Sequence, residues 1–314
     1  MGEFELLARI RERLPAGGPR IHLGSGDDAA VTMPEGATAT SVDALVEGVH
    51  FRREDAAPAQ IGHKALATAL SDLAAMGAGA GEAYVVLGVP ADCGEEECVE
   101  LLDGMLALAS ATGTELAGGD LTRAAQLFLA ITVVGHAPDA EALVHRAGAR
   151  AGDALVITGE IGGAAAGLLP DAPAELRARQ LEPQPRLGAG DALAGAGATA
   201  MIDLSDGLGG DARHLAESSG VALRIDAGAI PFAPGSKETM AAAGRDPWEL
   251  LGGGEDYELL ASLPPEQLEA AAEAVRVAEA VALTKIGEVV AGSGVEIRLP
   301  GGRLVEPGGF DQLA

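Results

Sequence analysis

Apolar positions along this chain follow two alternating periods. Phe4, Leu7, Ile10 and Leu14 fall at helical spacing and predict a helix over 3–14, closed by Pro15-Ala16-Gly17-Gly18-Pro19. Ile61, Ala65, Leu66, Ala69, Leu73 and Met76 share one face of a second predicted helix over 59–77. Further helices are predicted over 95–111, near 187–195, over 207–219 and over 265–277. Short apolar or β-branched runs between them predict strands at 37–42, 83–89, 115–117, 127–135, 154–159, 199–202, 221–225, 284–290 and 294–299. Pro173, Pro183 and Pro185 make 171–186 read as a connector, and 230–251 reads as loop and short helices. Strand and helix alternate almost throughout, which is the pattern of an α/β chain.

A stretch rich in Ala, Gly and charge between Ala137 and Gly152 predicts a domain boundary, giving domains 1–140 and 141–314. With 48% hydrophobic residues the chain can bury a proper core, yet aromatics are only 3%. That core must therefore be built from Ala, Val, Leu and Ile.

Charge narrows the function. The formal net charge is −26, and lysine occurs only at Lys64, Lys237 and Lys285. Nucleic acids and anionic membranes need basic patches, so neither is an expected partner. No apolar run reaches the roughly 18 residues a membrane helix needs, and no signal-peptide pattern opens the chain. Cys93 and Cys98 are too few for a four-ligand zinc site and read as reduced thiols of a cytoplasmic protein. The P-loop, the Gly-x-Ser-x-Gly elbow, His-Glu-x-x-His and the EF-hand loop are all missing from the sequence.

What the sequence does carry is a recurring coincidence of strand ends, glycines and aspartates. Ile202-Asp203-Leu204-Ser205-Asp206-Gly207-Leu208 places two carboxylates and a hydroxyl where a strand stops and a helix begins. Such junctions collect ligands, and helix amides welcome anions. Carboxylates repel phosphates unless a cation lies between them, so the stretch points to metal first and a phosphorylated ligand second. The plain alternative is that Ser205 or Asp206 merely caps the helix. Gly26-Asp27-Asp28-Ala29-Ala30-Val31 pairs aspartates in a glycine loop, which is also compatible with an ordinary turn. The predicted strand at 37–42 delivers Asp43, and the segment runs on through Glu47 and Gly48 to His50, a candidate substrate contact or a structural histidine. Asp72 lies in an otherwise apolar helix, facing either water or the same cations as Asp28 and Asp43. Gly118-Gly119-Asp120 follows another short strand, and Gly252-Gly253-Gly254-Glu255-Asp256 joins three glycines to two acids. Arg146 could reach a phosphate bidentately or stay a surface arginine.

Taken together, these motifs resemble the thiamine-monophosphate kinase family. The resemblance rests on Gly26–Val31, Ser41-Val42-Asp43 with Glu47–Phe51, Leu70–Gly77, Gly118-Gly119-Asp120, Ile202–Gly207 and Gly253–Glu258, in the family's order. It implies an aminoimidazole ribonucleotide synthetase-like fold: α/β of the α+β type, two domains of mixed sheets with packed helices. It further implies a homodimer formed through the N-terminal domain, with ATP and several Mg2+ ions near the domain junction. By this resemblance Asp28, Ser41, Val42, Asp43, Asp72, Asp120, Asp203 and Asp206 match metal-binding positions. Gly119, Asp120, Arg146 and Ser205 match ATP contacts, and His50, Glu255 and Phe310 match contacts to thiamine monophosphate. The family often has Thr where this chain has Val42, so a metal contact there would use only the backbone carbonyl.

The implied reaction is transfer of phosphate from ATP to thiamine monophosphate. The acceptor is a phosphate monoester with a second pKa near ~6, largely dianionic at neutral pH. No catalytic general base is then required, and Mg2+ would screen the two polyanions during in-line transfer. Two other readings stay open on sequence: a ring-closing ATP-dependent synthase of the same superfamily, and a non-catalytic cation-binding protein.

Overall fold

The computed structural model describes residues 3–14, 17–25, 29–305 and 308–310. The chain divides into two compact units, Met1–Leu73 with Gly79–Ala140, and Ala74–Ala78 with Glu141–Ala314. Asp28, with Gly26 and Asp27, lies outside the described residues.

The first unit opens with helix α1 (Glu3–Arg13) and a short antiparallel pair, β1 (Ile21–Leu23) with β2 (Val31–Thr32). Strand β3 (Ala37–Val46), helix α2 (Pro58–Ala75), strand β4 (Gly79–Val89), helix α3 (Glu95–Thr112), and strands β5 (Glu115–Arg123) and β6 (Phe128–Ala137) follow. The strands form a four-stranded sheet in the order β3-β6-β4-β5. Only β4 and β5 run parallel, because α3 carries the chain back across the sheet between them. Along β3 burial alternates: Thr40, Val42 and Ala44 are exposed, while Ser41, Asp43 and Leu45 turn to the more buried side. Leu129, Ile131 and Val133 of β6 continue that buried side.

Two sequence expectations change here. The strand predicted to stop before Asp43 runs on to Val46, because β6 pairs with it continuously from Ala37↔Ala137 to Val46↔Phe128. The strand predicted to end at residue 117 runs to Arg123, so Gly118, Gly119 and Asp120 are strand residues in register with Tyr84, Val85 and Val86. Glycine and aspartate are poor strand formers, and partner strands override that preference.

Helices α2 and α3 approach through glycines. A Cβ on Gly62 would stand 1.9 Å from the Leu101 carbonyl oxygen, and one on Gly104 would stand 1.8 Å from that of Ala59. The two backbones therefore touch at both places, and a methyl group fits at neither.

The second unit begins with β7 (Ala154–Thr158), α4 (Gly163–Gly167), α5 (Ala174–Leu181) and α6 (Leu187–Gly195). It continues through β8 (Ala200–Asp203), α7 (Leu208–Ser219), β9 (Ala222–Asp226) and α8 (Ser236–Ala242). It closes with β10 (Leu259–Leu263), α9 (Leu268–Glu279), β11 (Leu283–Val290), β12 (Gly294–Arg298) and β13 (Leu304–Val305). These strands make a seven-stranded sheet in the order β13-β12-β9-β11-β7-β10-β8. All five residues of β7 are buried, the mark of a strand covered on both faces. Leu155 and Ile157 join one core with Ala212 and Leu215 of α7. Val156 joins the other with Leu193 of α6 and Val275 of α9. The predicted connector 171–186 contains α5, since Pro173 precedes that helix and Pro183 follows it, so neither proline interrupts it.

No helix among the described residues is long and apolar enough to cross a membrane. Gly104→Ala should destabilise the protein by about 1–3 kcal/mol through overpacking against α2. Urea unfolding checks this, and an unchanged midpoint would mean that the two helices do not depend on this contact.

Candidate functional site

Each unit gathers its own set of acidic and polar groups. In the first unit the odd-numbered residues of β3 meet α2. The Ser41 hydroxyl donates to Asp72 Oδ2. Asp43 lies close enough to feel Asp72: burial raises its carboxyl pKa and the Asp72 charge adds to the rise, against the pull of Thr68, the Ala44 amide and His50. Two carboxylates and a hydroxyl thus share one corner, with Asp43 holding its proton more tightly because of burial first and its neighbour second.

His50 stands beside this corner with its orientation fixed from two sides. Its Nδ1 accepts the Val46 amide at 3.1 Å, so the proton of the neutral ring sits on Nε2. Its carbonyl accepts from the Lys64 ammonium at 3.3 Å, and Lys64 is almost wholly buried. The sequence placed His50 in this segment; the buried lysine that seats it was not legible as such.

Val42 and Asp120 fall elsewhere in the sheet. Val42 is 65% exposed, on the side away from Ser41 and Asp43. The Asp120 side chain, in register with Val86 and through it with Ala130 and Ala44, lies on that same outer face. Gly119 pairs with Val85, and a Cβ there would stand 2.1 Å from the Val85 oxygen.

In the second unit, β8 ends at Asp203, which is 3% exposed. The backbone beyond it is paired to the loop before β10: the Leu204 amide donates to Glu258 O at 2.8 Å, Tyr257 to Leu204 O at 3.0 Å, and Glu255 to Ser205 O at 2.8 Å. The loops touch so closely that a Cβ on Gly254 would stand 2.3 Å from Ser205 O. Gly207 takes φ 105° for the same reason, with Gly252 and Gly253 packed on it. Glu255 and Tyr257 also adopt positive φ, 67° and 51°, a strain of about 1–3 kcal/mol each that the surrounding pairing sustains.

Gly207 itself is the N-cap residue of α7, and no side chain caps that helix. The capping alternative for Ser205 and Asp206 therefore falls away. A third carboxylate, which the motif reading passed over, lies one turn on. Asp211 is buried, its Oδ2 accepts the Asp206 amide at 3.1 Å, and the Gly207 amide also bonds to it. Burial, then the charges of Asp203 and Asp206, push its pKa up to about 8. The signal available in sequence was its position in the first turn of a helix, three residues past an apolar start.

Phe310 joins this group through its amide, which donates to Asp206 O at 2.9 Å, while its ring is 56% exposed. The two acids after the triple glycine have separate partners. Asp256 accepts the Gly162 and Ala164 amides at 2.8 and 3.3 Å, which pull its pKa down against the burial that raises it to about 7. Glu255 accepts from Gln180 Nε2 at 3.2 Å. Asp203, Ser205, Asp206, Glu255 and Phe310 are thus brought together. Arg146 is not: its carbonyl accepts from Ser219, at the far end of α7, and its side chain is exposed. A helix of 12 residues separates that end from Gly207, about 18 Å.

Among the described residues no group of three or more acids, histidines or cysteines is arranged to hold a metal ion by itself. Mg2+ takes one or two carboxylates and fills its shell with water and phosphate oxygens, so a pair such as Asp43 and Asp72 suits it without a cage.

The two units correspond to two family models. AIR synthase related protein, N-terminal domain, matches residues 26–137, and AIR synthase related protein, C-terminal domain, matches residues 150–300. The class is therefore that of the AIR synthase related proteins. Within it, the chain is 43% identical over 274 residues to a thiamine-monophosphate kinase of Mycobacterium tuberculosis, covering 83% of this chain and 80% of that one. A crystal structure of thiamine-monophosphate kinase from Stenotrophomonas maltophilia matches with TM-score 0.81 and 34% identity, covering 94% of each chain. AaThiL complexed with AMPPCP and TMP matches with TM-score 0.77 and 28% identity, covering 98% of this chain and 96% of that one. The chain belongs to the thiamine-monophosphate kinase family.

Asp211→Ala removes the acceptor for the Asp206 and Gly207 amides and should cost about 1–3 kcal/mol of stability, whereas Asp211→Asn keeps an acceptor and should cost less. Urea unfolding compares the two. Equal losses would show that Asp211 does not hold those amides.

Proposed function

We infer that this chain transfers the terminal phosphoryl group of ATP to thiamine monophosphate, giving ADP and thiamine diphosphate. The carrying observation is the likeness, over nearly the whole chain, to AaThiL complexed with AMPPCP and TMP, together with 43% identity to a thiamine-monophosphate kinase. Both substrates present anionic phosphate groups and the protein carries a net charge of −26, so cations must accompany those phosphates. We assign Asp43 and Asp72, with Ser41, and Asp203 and Asp206 as the groups that hold Mg2+; the same role for Asp28, for the Val42 carbonyl and for Asp120 rests on motif alone. The metal supplies charge neutralisation on the phosphoryl oxygens when bound.

The chain's own residues do the rest. Ser205, at the entry to α7, and Gly119 are assigned to the nucleotide, as is Arg146, whose place at the far end of α7 leaves its assignment to the motif. His50 presents an Nε2–H donor suited to the acceptor phosphate, and its seat between the Val46 amide and Lys64 fixes that donor in advance. Glu255 and the exposed ring of Phe310 are assigned to the cationic, aromatic part of thiamine monophosphate. No side chain need remove a proton, since the acceptor oxygen is already ionised at neutral pH.

We also propose a homodimer through the first unit's sheet. Val42 and Val86 are exposed on its outer face with Ala44 beside them, apolar residues that a second copy of the same sheet would cover, while Thr40 and Asp120 share that face.

Three outcomes test this reading. With ATP, Mg2+ and thiamine monophosphate the protein should release ADP stoichiometrically with thiamine diphosphate, and Asp43→Asn or Asp206→Asn should lower turnover on the order of 10²-fold. Near-normal turnover in either variant removes that residue from the metal set, and a phosphorylated chain after ATP alone removes direct transfer. In calorimetry, His50→Ala should weaken thiamine monophosphate binding with ATP affinity little changed; the reverse pattern would reassign the histidine. Val86→Asp should shift the sedimentation coefficient from dimer to monomer, and an unshifted dimer places the interface elsewhere.

A further inference from the structure

The two cysteines have no part in the chemistry above, yet the fold puts them side by side. Cys93 sits in the turn between β4 and α3, and Cys98 in the first turn of α3. Their sulfurs are 3.7 Å apart, and both side chains are buried and free. We propose that Cys93 and Cys98 form a dithiol that closes reversibly to an intramolecular disulfide, a redox modification site on the first unit.

Geometry supports closure without refolding. A disulfide needs its sulfurs about 2.05 Å apart, so the pair must close by less than the width of one atom. Cys98 is held by the helix, with its amide on Gly94 O at 3.2 Å. Cys93 lies in the turn outside the helix, where rotation of its side chain is not confined by a helical ladder. The backbone on either side is framed by one arginine. Arg53 pairs with Asp92 at 2.5 Å and with Glu97 at 3.2 Å, each the residue immediately before a cysteine, and with Glu47 at 2.9 Å. The clamp holds the two short segments together and offsets the carboxylates that would otherwise repel a thiolate.

Access and reactivity are also present. Cys98 lines a cavity of about 80 Å3 with Leu7, Val85 and Met105, wide enough for a peroxide, and Cys93 lines one of about 290 Å3 with Leu6, Val89, Pro90 and Leu121. The pair shares protons unequally. The hydrogen bond from Cys93 lowers the Cys98 pKa, and its position in the first turn of α3 favours the thiolate further; the same bond and burial raise that of Cys93. Cys98 is thus the nucleophilic sulfur and Cys93 the reserve of the second proton. With hydrogen peroxide as oxidant, the O–O bond breaks and the S–S bond forms. Two electrons pass from the sulfurs to the oxygens, and both thiol protons leave in two molecules of water. With a small-molecule disulfide as oxidant, two small thiols leave instead.

The test uses the full chain. After treatment with hydrogen peroxide or oxidised glutathione, the protein is unfolded, exposed to N-ethylmaleimide and weighed by mass spectrometry. Closure predicts a monomer lighter by two hydrogens, no maleimide taken up, a cross-linked Cys93–Cys98 peptide, and recovery of two reactive thiols with dithiothreitol. In Cys93→Ser the same treatment should leave Cys98 as a trappable sulfenic acid or a mixed disulfide. Uptake of two maleimides by the treated wild-type chain, separate sulfinic acids on the two cysteines, or a disulfide between two chains would each overturn the proposal.

Discussion

Burial of carboxylates beside one another is the constraint on which the rest of this molecule depends. Asp43 is held beside Asp72 at the junction of β3 and α2, and Asp211 is buried beside Asp203 and Asp206 at the junction of β8 and α7. A folded chain bearing a net charge of −26 gains nothing from crowding like charges at such places. Both arrangements persist because the surrounding backbone is over-determined. Ten residues of β3 pair without a break to β6, and the Ser205–Gly207 turn is pressed against the Gly252–Gly254 loop with no room for a side chain. The scaffold keeps the acids where a cation would relieve them. On the proposed assignment, cations held there would screen the phosphates of the substrates.

Pre-organisation explains the supporting residues. Lys64 is buried to hold the carbonyl of His50, and the Val46 amide fixes the ring's tautomer, so the histidine offers a donor without reorganising. Glu255 and Tyr257 tolerate left-handed backbone because hydrogen bonds to Ser205 O and Leu204 O leave them no alternative. Asp256, beside them, serves a different end: it satisfies two amides at the start of α4.

Much of this was legible in the sequence, for identifiable reasons. Long apolar periods gave α1, α2 and α3 nearly to the residue, because burial of one helix face dictates the pattern. Strand ends were less legible at Asp43 and Asp120. Their own preferences point to turns, and only the pairing of β6 and β4 carries the strands through them. The prolines around 171–186 hid α5 because proline before a helix and proline after one look like a connector when read together. Asp203, Ser205 and Asp206 stood out through their position between strand and helix. Asp211 did not, since a helical aspartate normally faces water and only the folded turn reveals that it takes the Asp206 amide. Lys64 was hidden for the same reason: a lysine on an apolar helix gives no sign of what its ammonium will reach.

The central claim concerns cations, and it can be counted. Equilibrium dialysis with Mn2+ in the presence of AMPPCP measures how many divalent ions each chain holds, for the wild type, Asp43→Asn and Asp206→Asn. The account predicts more ions per chain than the single one a nucleotide carries by itself, and fewer in each variant. One ion per chain, unchanged by either substitution, would contradict it.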